Sequence, residues 1–125
     1  MGESNRLLII SNDPDLLQTL SLALDIEGFS VGTATSWAQA MAACASVPPA
    51  MIIHDVRGLD GCVRGQLMGL RKVHPRVPVL LLSSLESPEL SQAERAGLIT
   101  ASIIKPVRLE SLEGCVERFA ARRQE

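Results

Sequence analysis

The hydrophobic positions of the chain form five short apolar runs, and each run is followed by a segment whose apolar residues have helical spacing. The runs cover residues 7–10, 29–33, 50–54, 77–82 and 101–104. Short, nearly continuous apolar runs are typical of strands that are covered on both faces. The strict alternation of strand and helix therefore predicts an α/β fold, a doubly wound parallel sheet with helices on both faces.

Capping residues mark where the predicted helices begin. Asp13 is a good N-cap before Pro14, Ser36 can cap a short helix, and Ser87 precedes Pro88 in the same way. The last helix carries an apolar stripe, which comprises Leu109, Leu112, Val116 and Phe119. The length of the chain, 125 residues, predicts one domain over 1–125, with frayed ends at 1–5 and 123–125.

Composition and charge exclude several function classes. The formal net charge is -2 and the sequence pI about 5.7, so the chain has no basic field for a phosphate backbone and no direct nucleic-acid binding is expected. The longest apolar run is too short to cross a bilayer, and the polar N-terminus lacks the pattern of a signal peptide. A cytoplasmic protein without membrane contact is expected.

The cysteine pattern agrees with that location. Cys44, Cys62 and Cys115 are odd in number and lack the spacing of metal ligands. They are expected to be small buried hydrophobic residues in a reducing compartment.

Polar residues follow four of the five predicted strands. They are found at residues 11–13, from Asp55 onward, at 83–84 and at 105–106. In an open parallel sheet the binding site lies beyond the carboxyl ends of the strands, where the strand order reverses. We expect these four loops to meet there.

These residues also carry a family resemblance. A central apolar strand ends in Asp55, Ser83 follows the fourth strand, and Lys105-Pro106 follows the fifth. This pattern over essentially the whole chain resembles the receiver domain of two-component response regulators. The resemblance implies a flavodoxin-like (βα)5 fold with strand order 2-1-3-4-5.

The resemblance also implies a chemistry that the residue types support. Asp55 would accept a phosphoryl group from a histidine kinase or phosphotransfer protein, while Ser83 and Lys105 would bind the phosphoryl oxygens. A carboxylate is a competent nucleophile for this transfer, and an ammonium group stabilises the charge on the oxygens. The Lys105-Pro106 peptide is a candidate cis bond. The chain would be a signalling switch and not an enzyme.

The metal site departs from the family pattern. The family's acidic pair, which holds Mg²⁺, falls on Ser11 and Asn12, and Asp13 lies one residue late and is interpreted as a helix cap. The remaining ligands would be Asn12, Asp55, the Arg57 backbone carbonyl and, with less support, Asp13. Mg²⁺ prefers carboxylate oxygens, so weak or lost Mg²⁺ binding is expected. The Arg57 side chain could instead occupy the space of the metal.

Three functions remain open from the sequence. The first is a phosphorylated switch, and the second is a pseudo-receiver that binds proteins without phosphorylation. The third, a flavodoxin-like enzyme or cofactor binder, is weakened because no G-x-G-x-x-G loop follows the first strand. By resemblance, an effector domain, a downstream protein or a second copy in a homodimer would bind the face of the fourth helix, fifth strand and fifth helix.

Overall fold

The computed structural model describes residues 6–45 and 47–120. The strands are β1 (Arg6–Ile10), β2 (Ser30–Ala34), β3 (Met51–Val56), β4 (Val79–Ser83) and β5 (Ala101–Ile104). The helices are α1 (Pro14–Ile26), α2 (Trp37–Ala43), α3 (Gly61–Val73), α4 (Pro88–Arg95) and α5 (Leu109–Cys115), which a π-helical turn (Val116–Ala120) continues. The fraying predicted for 1–5 and 123–125 lies outside the described residues.

The five strands form one parallel sheet in the order β2-β1-β3-β4-β5. This order confirms the predicted doubly wound, flavodoxin-like fold. The order reverses between β1 and β3, so the carboxyl ends of these two strands border the position where such sheets bind ligands.

Successive strand residues point alternately to two separate cores. One core, under α1 and α5, includes Ile9 of β1, Ile53 of β3 and Leu82 of β4. The other core, under α2, α3 and α4, includes Ile52 and Leu81. This alternation fixes which polar residues at the strand ends face the same side.

Local signals explain most helix ends. The Asp13 carboxylate accepts hydrogen bonds from the backbone N–H groups of Asp15 and Leu16, which confirms it as the N-cap of α1. Gly28, just past that helix, has a φ of +98°, a conformation that glycine adopts without strain. Ser87 lies at the N-cap position of α4, as predicted, but its side chain makes no capping hydrogen bond. The position was predicted correctly, and the capping bond was not.

Two other expectations need correction. β4 begins at Val79 and not at residue 77, and Pro78, which has no N–H to donate to a strand ladder, lies before it. Cys44 is buried, whereas Cys62 is exposed on the first turn of α3, so the cysteines are not all core residues. Within the described residues, no helix is long and apolar enough to span a bilayer.

Candidate functional site

The Asp55 carboxylate lies at the carboxyl end of the sheet and is held from two sides. Its Oδ2 accepts a 2.7 Å hydrogen bond from Ser11 Oγ, and its Oδ1 forms an ion pair with Lys105 Nζ. The Asp55 side chain is only 9% exposed. All three residues continue the alternation of the strand residues that pack under α1 and α5, which is why the fold brings them together.

Ser11 has a second role at the start of α1. Its Oγ accepts a 3.0 Å hydrogen bond from the Asp13 backbone N–H. The Asp13 carboxylate is meanwhile used in capping α1. The structure therefore directs the Asp13 side chain to its own helix and does not bring it to Asp55 as a metal ligand.

The structure does not bring the Ser83 hydroxyl into a hydrogen bond with Asp55 or Lys105. Ser83 continues the alternation of Val79 and Leu81, which point to the opposite core. Its fully buried hydroxyl donates to the Leu85 carbonyl at 2.7 Å. The neighbouring Ser84 lines the same cavity as Asp55, and the alternation of β4 was the signal that could have identified it.

Asp55 opens into a cavity of about 390 Å³ at the edge of the sheet. Its lining is rich in hydroxyl and amide groups and in cations; the polar residues around Asp55 include Ser11, Asn12, Thr35, Ser84, Arg57 and Lys105. Arg57 is exposed, and its guanidinium has no hydrogen-bond or ion-pair partner in the described part of the chain. Arg57 therefore forms no ion pair with Asp55 among the described residues. That its side chain occupies the space of the metal stays a prediction.

The residues present do not fit a tightly bound Mg²⁺ ion, which prefers several carboxylate oxygens. The Arg57 carbonyl accepts hydrogen bonds from the backbone N–H groups of Ser84 and Leu85, both at 3.0 Å. Both Asp55 oxygens already have partners. Among the described residues, no group of three or more His, Cys, Asp or Glu side chains could hold a metal. Of the four predicted ligands, the Asn12 side-chain oxygen is the one that has no hydrogen-bond partner among the described residues.

A histidine also lines this cavity. His54 points away from Asp55, as expected for its strand neighbour, and its Nε2 lies 3.1 Å from Gln66 Oε1. The Trp37 and His54 rings are 5.0 Å apart, and the buried His54 Nδ1 has no partner within the described residues. Burial lowers the pKa of His54, so the ring is neutral at pH 7.

The sequence predictions can be compared with the positions of these residues in the structure. Asp55 and Lys105 are brought together, and the Lys105-Pro106 peptide is cis as predicted. The hydrogen bond from Ser11 was missed because the residue was considered only as a lost metal ligand. Nothing in the sequence placed Trp37 at the cavity.

Comparisons with known proteins point to one family. Residues 7–117 match the model of the response regulator receiver domain. The chain is 33% identical over 113 residues to the transcriptional regulatory protein GlrR of Escherichia coli, covering 89% of this chain and 25% of that protein. It is 30% identical over 115 residues to the probable transcriptional regulatory protein TcrX of Mycobacterium tuberculosis, covering 89% of this chain and 47% of that protein.

Solved structures show the same fold. A receiver domain protein from Methanospirillum hungatei superposes with a TM-score of 0.83 at 21% identity, covering 96% of both chains. A two-component response regulator from Clostridium difficile also superposes with a TM-score of 0.83, at 22% identity, covering 97% of this chain and 99% of that one. The chain spans a quarter of the length of GlrR and about half that of TcrX. From its match over residues 7–117, the chain belongs to the response regulator receiver domain family.

Proposed function

We propose that this receiver domain accepts a phosphoryl group on Asp55 from a histidine kinase or phosphotransfer protein. A single observation carries the proposal, namely that the Asp55 carboxylate borders a polar cavity and is paired with Lys105. Response regulators receive phosphate from histidine kinases, and receiver domains are in general signalling domains and not enzymes.

The phosphoryl transfer would form one bond and break another in this cavity. A carboxylate oxygen of Asp55 attacks phosphorus, the bond between phosphorus and the donor breaks, and the donor group leaves with the electron pair. Lys105 then exchanges its contact with the carboxylate for one with a phosphoryl oxygen, where negative charge accumulates. Ser84 lines the cavity on the same side and can donate a hydrogen bond there. Ser83 would have to turn its hydroxyl away from Leu85 to do the same.

We further propose that Mg²⁺ binding in this chain is weak or lost. Receiver domains typically bind Mg²⁺ at the acidic phosphorylation site. Here Ser11 and Asn12 stand at the positions of the acidic pair, and a hydroxyl and an amide bind a hard dication less strongly than two carboxylates.

The same substitution favours a second candidate, a pseudo-receiver that binds proteins without aspartyl phosphate. Ser11 already donates a hydrogen bond to Asp55 Oδ2. The ion pair between Asp55 and Lys105 can stabilise one conformation without phosphorylation. In either case we propose that partners bind the face of α4, β5 and α5, where Ile104 and Leu109 are exposed. We propose that the partner at this face is an effector domain, a downstream protein or a second copy of the chain, in the cytoplasm. Nucleic acid and membranes are not proposed as partners.

Intact-mass analysis after incubation with acetyl phosphate separates the two candidates. A switch gains the mass of one phosphoryl group, and the Asp55→Asn variant does not. The same reaction is run with and without Mg²⁺. A folded protein that gains no mass under either condition contradicts the phosphoacceptor proposal for small donors and supports the pseudo-receiver.

A further inference from the structure

The charge of the Asp55 cavity suits an anion. Among the described residues, its charged lining consists of two cations, Arg57 and Lys105, and one carboxylate, so the net formal charge of this lining is +1. The His54 ring also lines the cavity, but it points away from Asp55 and its Nε2 lies 3.1 Å from Gln66 Oε1. With an acidic pair at positions 11 and 12 the same cavity would carry two more negative charges and would need a dication. With Ser11 and Asn12 at these positions, the net charge of the lining is therefore positive, whereas with an acidic pair it would be negative.

We infer that this cavity binds a phosphate oxyanion directly, without a divalent cation, and that Arg57 supplies the charge that a metal would otherwise bring. The inference deepens the proposed function, and rests on it for the identity of the anion as a phosphoryl group.

The position of Arg57 supports this role. Hydrogen bonds from the Ser84 and Leu85 N–H groups to the Arg57 carbonyl fix its backbone beside the cavity. Its guanidinium has no partner among the described residues, whereas the Lys105 ammonium is already paired with Asp55. A guanidinium binds phosphate oxygens through two parallel hydrogen bonds and is always charged. Arg57 is thus the cation of the cavity that is free to bind an incoming anion.

The charges also balance after transfer. With acetyl phosphate as donor, an Asp55 oxygen bonds to phosphorus, the bond from phosphorus to the acetate oxygen breaks, and acetate leaves with the electron pair. The carboxylate charge is replaced by the charge of the phosphoryl group, about −2 at neutral pH. Arg57 and Lys105 together offset this charge. Neutralisation of the acyl phosphate then needs no metal ion.

Inorganic phosphate is a suitable probe, because Trp37 is the only tryptophan and lines the cavity. Phosphate is titrated into the protein in EDTA while Trp37 fluorescence is followed, and the titration is repeated with Mg²⁺. We expect saturable binding of equal affinity under both conditions. Arg57→Gln should weaken it about tenfold, since a charge-assisted bidentate contact is lost. Arg57→Lys keeps the charge but loses the bidentate contact, and should have an affinity between those of the unmodified protein and Arg57→Gln. Arg76→Gln removes an exposed arginine outside the cavity and should change nothing.

Two more variants test the sign of the cavity. Asp55→Asn removes the one carboxylate that the described residues contribute to the lining, and should strengthen phosphate binding several-fold, about the effect of one nearby charge. The double variant Ser11→Asp/Asn12→Asp should bind phosphate only when Mg²⁺ is present.

The outcomes separate this inference from the proposed function. A need for Mg²⁺ in the unmodified protein, or no binding in EDTA by a folded protein, overturns the inference. Equal binding by Arg57→Gln overturns the role of Arg57. Phosphate binding in EDTA without any transfer from acetyl phosphate supports the inference and contradicts the phosphoacceptor proposal. Phosphoryl transfer to Asp55 that occurs only with Mg²⁺ supports the phosphoacceptor proposal and contradicts the inference.

Discussion

Ser11 donates a 2.7 Å hydrogen bond to Asp55 across 44 positions of the sequence. A neutral donor therefore stands beside the carboxylate at a position where the family places a second negative charge. A carboxylate there would repel Asp55 unless a cation lay between them, whereas a hydroxyl stabilises the ionised form. This one contact supports the proposal that Mg²⁺ binding in this chain is weak or lost.

Removal of that hydroxyl should destabilise the fold. In Ser11→Ala, Asp55 Oδ2 loses its donor and the Asp13 N–H loses its acceptor. We expect a loss of about 1–2 kcal/mol in the free energy of unfolding, because both groups are partly buried. Urea denaturation measures it. Ser84→Ala serves as a control, since Ser84 is exposed and should have little effect. Equal stability of Ser11→Ala and the unmodified protein would contradict the account of Ser11.

The pair of Lys105 and Asp55 should show energetic coupling. Lys105→Met leaves the nearly buried Asp55 carboxylate without its cation and should cost about 1–3 kcal/mol. The double variant with Asp55→Asn should cost less than the sum of the two single changes, because the unpaired charge is then absent. Chemical denaturation of the four proteins gives the coupling energy. Strict additivity would show that the ion pair contributes nothing to stability.

Protonation of His54 should reduce stability at mildly acid pH. Burial lowers its pKa in the folded protein below the ordinary value of 6.5. As the pH falls below 6.5, the unfolded chain takes up a proton at this residue that the folded protein does not, so the free energy of unfolding decreases. His54→Gln should make the stability curve between pH 7 and pH 5 less steep.

The second histidine supplies the control for that experiment. His74 lies at the end of α3 and is not buried, so His74→Gln is the matched change outside the core. If both variants have the slope of the unmodified protein, His54 is not the group responsible.

The three thiols should differ in their reactivity. Burial raises the pKa of the Cys44 and Cys115 thiols, and Cys62 is exposed on α3. Since the thiolate is the reactive form, iodoacetamide at pH 8 should label Cys62 first and Cys44 last. Peptide mass spectrometry over a time course measures the order. Cys62→Ser should abolish the fast phase, and early labelling of Cys44 in the folded protein would contradict its burial.

The two adjacent serines should have separate effects. Ser83→Ala removes a fully buried hydroxyl that donates to the Leu85 carbonyl, and should cost about 1 kcal/mol of stability. Ser84→Ala should instead slow phosphoryl transfer with little change in stability. Intact-mass time courses with acetyl phosphate and denaturation curves distinguish them. A transfer rate that falls only in Ser83→Ala would restore the role that the sequence assigned to Ser83.

The fold was predictable because the signals were local and repeated. Five apolar runs and the N-cap residues Asp13 and Ser36 placed most of the elements correctly. The start of β4 was missed because Val77 is apolar and buried although it lies outside the strand. A hydrophobic residue indicates burial, but it does not indicate whether its backbone N–H and C=O groups take part in the hydrogen bonds of the sheet.

The site was predictable only in part, because side-chain direction depends on details that the family pattern does not carry. Asp55 and Lys105 could be identified from their positions after strands. Ser83 and Ser84 could not be ranked by residue type, and only the alternation along β4 separates them. Among the described residues, Lys105 and Ser11 contact the Asp55 carboxylate and the Arg57 guanidinium has no partner, an arrangement that no local pattern reveals.

The central claim is that Asp55 itself receives the phosphoryl group. The most direct measurement treats the protein with acetyl phosphate, reduces it with borohydride, and maps the product by peptide mass spectrometry. Borohydride converts an aspartyl phosphate into homoserine, so the account predicts homoserine at position 55 and aspartate at positions 13 and 60. Aspartate at position 55 in a protein that remains folded, or homoserine at another position, would contradict it.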